Sequence, residues 1–148
     1  MRVAAVQKIE ISPGQAFRLL ADLERCPEYS KAVVDRRKLD DSPVGLGTRF
    51  HAVDRWPGQT VEFTVEITAY EPDTFIAAAW SEPMAGGWQA QFQPDGSGTE
   101  IRFEAWMNPS GMLGLLSPVM RFWAQKETRT FLARFKQWAE QQSSQLAS

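Results

Sequence analysis

The stretch that most constrains this chain is its last long one, Ser117 to Gln142. No proline or glycine follows Pro118, so nothing there breaks a helix. Ser117 suits an N-cap. Pro118 suits the first helical position, where the missing N–H would be orphaned anyway. A helix of about 25 residues is roughly 37 Å long at 1.5 Å per residue, enough to span a small domain. At about 100° per residue, Leu116, Met120, Trp123, Ala124, Phe131, Phe135 and Trp138 fall on one face. Such a stripe needs a wide apolar surface to cover. Glu127 interrupts it, one turn after Trp123 and one before Phe131.

The residues before the helix supply that surface. Val3 to Ile11 reads as a strand with apolar residues at even spacing, broken at Gln7. Ser12-Pro13-Gly14-Gln15 fits a capping box and starts a short helix to about Ala21 that buries Ala16, Phe17, Leu19 and Leu20. Asp22 can cap a second short helix, from Leu23 to about Tyr29, whose regularity Pro27 limits. Ala32 to Leu39 is a charged strand, expected near an edge. Gly45 and Gly47 bracket the start of the next strand, Thr48 to Trp56. Pro57-Gly58 then makes a tight turn into a hairpin.

The partner strand alternates cleanly, with Val61, Phe63, Val65, Ile67 and Ala69 against Glu62, Thr64, Glu66 and Thr68. One face is apolar and one is wet, which is the mark of a half-covered antiparallel sheet. Thr74 to Trp80 is apolar on both faces and reads as a central strand. Pro83 to Gly87 reads as a loose loop. Trp88, Ala90 and Phe92 alternate with Gln89, Gln91 and Gln93. Ile101, Phe103, Ala105 and Met107 alternate with Arg102, Glu104 and Trp106. The glutamine row and the Glu100, Arg102, Glu104 row are expected to pair on the solvated face. Asn108 to Gly111 ends the sheet, and Met112 to Leu116 forms one helical turn. One strand, two short helices, six strands in a meander and a long helix make an α+β fold. Its curved antiparallel sheet of about seven strands offers a concave face to the helix.

Composition bounds the function. The 148 residues predict one domain, 1–148. A net charge of −2 argues against a nucleic-acid partner, which needs a basic face. No apolar run approaches a membrane span. The opening Met1-Arg2-Val3 lacks a signal-peptide core, and one cysteine, Cys26, fits a reducing cytoplasm. With one histidine, one cysteine and no clustered carboxylates, no metal site is expected. No nucleophile elbow and no glycine-rich phosphate loop is present, and no cofactor is indicated.

Several stretches, in this order and spacing, carry a resemblance. They are Asp22-Leu23-Glu24-Arg25-Cys26-Pro27-Glu28, Val44-Gly45-Leu46-Gly47-Thr48-Arg49-Phe50, Val65-Glu66-Ile67-Thr68-Ala69-Tyr70-Glu71-Pro72, Gly98-Thr99-Glu100-Ile101 and Phe131-Leu132-Ala133-Arg134-Phe135-Lys136. Together with the layout they resemble the helix-grip fold of the START-related, or SRPBCC, superfamily. Within it they are most similar to the polyketide cyclase/dehydrase and lipid-transport-like branch. Tyr29 stands where that family often has tryptophan. The resemblance implies a cavity between sheet and helix that takes a small apolar ligand such as a lipid, polyketide or aromatic. It implies no particular reaction, because members include carriers, sensors and cyclases.

Phe63, Val65, Trp88, Ala90, Phe92, Phe103, Ala105, Trp123, Glu127 and Phe131 are expected to line that cavity. Two residues are candidates for chemistry. A carboxylate among apolar groups must be paired, hydrogen-bonded or protonated, so Glu127 could serve as a general acid or orient a ligand. Alternatively Thr130, Arg134, a sheet arginine or a water satisfies it, or it points to solvent. His51 is a natural base, but if Phe50 faces the cavity, alternation turns His51 to water. Three functions remain open: a ligand carrier, a cyclase or dehydratase, and a protein-binding module.

Overall fold

The computed structural model describes residues 1–108 and 117–147. In chain order these form β1 (Arg2–Ile9), α1 (Pro13–Ala21), a 3₁₀ helix (Leu23–Glu28), β2 (Val33–Lys38), β3 (Arg49–Trp56), β4 (Gln59–Glu71), β5 (Phe75–Trp80), β6 (Gly86–Asp95), β7 (Gly98–Met107) and α2 (Ser117–Ala147). The strands make one seven-stranded sheet in the order β1-β7-β6-β5-β4-β3-β2. Every neighbouring pair is antiparallel. This is the helix-grip arrangement. The charged strand β2 is an edge and the apolar strand β5 is central, as their side chains require. The turn at Met112 to Leu116, and Leu116 itself, lie outside the described residues.

Local chemistry sets each boundary. The Ser12 hydroxyl accepts a hydrogen bond from the Gln15 N–H at 3.2 Å and so caps α1. Asp22 makes no side-chain cap to the 3₁₀ helix, contrary to expectation. Gly47 takes φ +85°, and its N–H donates to the Ile67 carbonyl at 2.8 Å. Here the chain turns into β3 through a conformation that a side chain resists. Strand β6 begins at Gly86, so Gly86 and Gly87 belong to the sheet and not to the expected loop. On the convex side Gln89, Gln91 and Gln93 stand opposite Glu104, Arg102 and Glu100. The Gln89 amide donates to the Glu104 carboxylate at 3.1 Å.

Both free edges of the sheet are tied down by helix side chains. Along β1, the Gln125 amide donates to the Ala4 carbonyl at 2.9 Å, and the Glu10 N–H donates to the Glu140 carboxylate at 2.9 Å. At the other edge, the Lys38 N–H donates to the Glu24 carboxylate at 3.1 Å. Such bonds occupy backbone groups that an exposed edge would offer to another chain.

The aromatic stripe of α2 holds in its C-terminal half, where Leu132, Phe135, Trp138 and Ala139 are buried. Phe135 and Trp138 also pack against Tyr29, the residue that ends the 3₁₀ helix. The Tyr29 ring lies 4.7 Å from Trp138 and 5.3 Å from Phe135. The Arg25 guanidinium covers the outer face of Trp138 at 4.7 Å, and the indole N–H donates to Glu28 at 3.3 Å.

This packing sets two expectations for stability. Trp138→Ala removes the indole that joins two helices and should cost about 3–5 kcal/mol, read from the urea midpoint. Gly47→Ala should cost about 1–2 kcal/mol for its left-handed backbone, whereas Gly45→Ala, where an added methyl meets nothing within 4 Å and φ is not positive, should cost far less in the same assay.

Candidate functional site

The concave face is filled unevenly. Helix α1 covers one end, where Phe17 meets Tyr70 at 5.2 Å and Phe92 at 5.5 Å, edge to face. At the other end the sheet and the N-terminal half of α2 leave a cavity of about 180 Å³. Its walls come from α1 (Leu20), the 3₁₀ helix (Leu23, Cys26), β2 (Val33, Arg36), β3 (Asp54, Arg55, Trp56), β5 (Trp80), β6 (Trp88), β7 (Phe103, Ala105, Met107) and α2 (Trp123, Ala124, Glu127, Thr128, Phe131), with Ser30 and Ala32 from the segment before β2. Four of the six tryptophans therefore gather at one site.

Six of the ten residues expected to line the cavity do so: Trp88, Phe103, Ala105, Trp123, Glu127 and Phe131. Phe63, Val65, Ala90 and Phe92 do not. They share the concave face, but Val65, Ala90 and Phe92 sit farther along the strands in solid core. Phe63 is packed behind the wall, 5.2 Å from Trp80 and 6.2 Å from Trp56. His51 also stands apart. It lies on the opposite face of β3 from Phe50, in register with Arg37 and Thr64. It is half-buried and not freely solvated, and its Nδ1 is buried without a hydrogen bond among the described residues.

Sequence reasoning missed the polar corner of the cavity. Arg36 and Asp54 form a bidentate pair, one arm at 3.2 Å, with both side chains largely buried at 11% and 16% exposure. The guanidinium also lies 5.5 Å from the centre of the Phe63 ring. A signal was available in β3: Phe50, Ala52, Asp54 and Trp56 share one face, so an acid stands on the apolar side. Its partner was hidden because a bulge between Val33 and Asp35 shifts the β2 register.

Glu127 is half-buried and lines the cavity. No hydrogen bond or ion pair among the described residues engages it, including Thr130, Arg134 and the sheet arginines. Beside it, the Thr128 hydroxyl donates to the Ala124 carbonyl at 2.7 Å, within the helix. Deeper in the wall, the Cys26 thiol and the Tyr29 hydroxyl meet at 3.3 Å. Burial pushes the thiol above its ordinary range and the phenol well above its own. Among the described residues no group of three His, Cys, Asp or Glu side chains can hold a metal ion.

Two glycines shape the strand behind the cavity. Gly86 is opposite Trp80 in register, and Gly87 is opposite Trp106. A methyl group on Gly86 would lie 2.6 Å from Cε2 of Trp80, and one on Gly87 would lie 2.8 Å from Nε1 of Trp106. Neither indole can keep its place above a larger residue.

The chain belongs to the family described as polyketide cyclase/dehydrase and lipid transport, whose model matches residues 1–140. No curated protein matches the sequence. Among solved structures, TTHA0849 from Thermus thermophilus superposes with a TM-score of 0.84 at 21% identity, covering 97% of this chain and 99% of that one. The Zhui aromatase/cyclase from Streptomyces sp. R1128 gives 0.80 at 12% identity over 97% and 95%. Ara h 8.0201 gives 0.72 at 15% identity over 95% and 98%. At these identities the likeness shows the fold alone. No helix among the described residues is long and apolar enough to cross a membrane.

The buried thiol and phenol give a pH prediction. Free thiols ionise near about 8.5 and free phenols near about 10. Above those values the unfolded chain has lost protons that the folded one keeps, so stability falls as pH rises. The contribution of the neutral pair is fully present below about pH 8.5. Thermal midpoints should drop from there upward, and Cys26→Ala should flatten the first part of the decline.

Proposed function

We infer that the chain, acting as one ligand-binding domain, holds a small, mainly apolar molecule in the cavity between the sheet and α2. The observation that carries this reading is the unfilled space of about 180 Å³ walled by Trp56, Trp80, Trp88, Phe103, Trp123 and Phe131. A packed core leaves few voids of that size, and an apolar cavity of roughly 150 Å³ takes benzene. The volume falls short of the roughly 300 Å³ and above usual for drug-sized ligands. The guest is therefore about one ring with a short arm. Membership of a family whose description includes lipid transport agrees with an apolar guest. A protein-binding module would have its interior filled with side chains. A lone cysteine kept as a buried free thiol suits the cytoplasm.

Because four tryptophans line the space, their fluorescence reports entry directly. Titration with indole-free aromatics such as ethylbenzene should give saturable quenching, and native mass spectrometry of fresh protein should show a carried molecule. Linear, non-saturating quenching together with bare protein in the spectrometer would remove this reading.

A second reading, as a cyclase or dehydratase, is favoured by one observation: two carboxylates, Glu127 and Asp54, border the same cavity as Arg36. In that case Glu127 is the acid, and Asp54, in place of His51, is the group within reach of the same guest. Glu127→Gln should then lower turnover of a polyketide-like substrate by about 10²–10⁴-fold while binding persists.

A further inference from the structure

We propose that the cavity selects an organic amine, a small aromatic ring bearing a short ammonium arm, with the ammonium held at Glu127. This rests on the ligand-binding reading above and names the guest's polar end.

Four charged side chains border the cavity: Arg36, Asp54, Arg55 and Glu127. Arg36 and Asp54 cancel each other through their bidentate pair. Arg55 is exposed, and its guanidinium donates to the Lys31 carbonyl at 2.7 Å, so its charge stays at the rim in screening solvent. Glu127 is the remaining charge, half-buried, with no counterion among the described residues. Its carboxylate can only accept hydrogen bonds. A purely apolar guest that displaced water from the cavity would leave it without donors, which is costly. A guest with an N–H donor removes that cost, and a charged donor makes the stronger bond.

The ring walls favour the same sign. Aromatic faces carry negative charge density and attract ammonium groups. Trp123, one turn before Glu127 on α2, and Phe131, one turn after it, both line the space, and Trp88 stacks on Phe103 at 5.6 Å to form a flat apolar floor. The same walls disfavour a carboxylate. A cavity this small leaves room for a single ring and a two-carbon arm.

The test compares three probes of closely similar size on the full chain at pH 7: 2-phenylethylamine, 2-phenylethanol and phenylacetate. Affinity is read by tryptophan fluorescence and checked by calorimetry. The amine should bind about tenfold or more tighter than the alcohol, because its bond to Glu127 joins two opposite charges where the alcohol's joins only one, and the carboxylate should bind weakest. Glu127→Gln should bring amine and alcohol within about threefold of each other, chiefly by weakening the amine. Glu127→Asp, which keeps the charge, should retain part of the preference, and the urea midpoints of both variants confirm that they fold. Equal binding of amine and alcohol by the wild type overturns the amine proposal while leaving an apolar binder. So does a preference that survives in Glu127→Gln, or a carboxylate that binds best. Failure of the alcohol and of ethylbenzene as well as the amine overturns the ligand-binding reading together with this one.

Discussion

The packing of Tyr29 against Trp138, Phe135 and Phe131 is the contact on which the rest of the molecule depends. Their ring centroids lie 4.7 to 5.4 Å apart. The phenol hydroxyl has a thiol for a partner, so a polar tip enters the core with a bond of its own. Side chains from α2 also reach the β1 edge at Gln125 and Glu140. The helix is thereby fixed at its C-terminal half and along one edge of the sheet. Its N-terminal half is left to roof whatever lies between it and the far strands. A stripe buried evenly along its length would have closed the gap with side chains. Here the buried residues concentrate after Phe131, and the cavity lies before it.

The concave face is thus divided along the strand direction. At one end α1 brings Phe17 down onto Tyr70 and Phe92, and the space is solid. At the other, the ends of β3, β5 and β7 present Trp56, Trp80 and Met107 to the cavity. The polar pair Arg36–Asp54 sits at that open end. A buried ion pair adds little net stability as a rule, so its presence in a wall otherwise apolar is more informative about the guest than about folding.

Much of this was legible in the residues. The alternation in β4, the Ser12 cap and the uninterrupted run of α2 are local properties, and local properties are what sequence periodicity reports. The same is true of the glutamine row facing Glu100, Arg102 and Glu104. Position along a strand is another matter. A period of two names the face of Val65, Ala90 and Phe92 but not the end of the sheet they occupy, and α1 decides that. Arg36 and Asp54 meet across two strands through a bulge that no pattern of spacing announces. Glu127 was legible as an anomaly on an apolar stripe, while its lack of a neighbour required the fold. Alternation names the face of His51 correctly, but its half-burial depends on what Arg37 and Thr64 cover from adjoining strands.

The adjacent glycines of β6 have a consequence for how such a cavity diversifies. Gly86 and Gly87 face opposite sides of the sheet, each beneath an indole from a neighbouring strand. On the cavity side, space is shared between a missing side chain on one strand and an oversized one on the next. A lineage can shift that space without disturbing the backbone by shrinking Trp80 and enlarging residue 86 together, while either change alone leaves a void or a collision. Relatives with different guests should therefore show these two positions changing in concert, as a paired adjustment of cavity depth that leaves the other walls untouched.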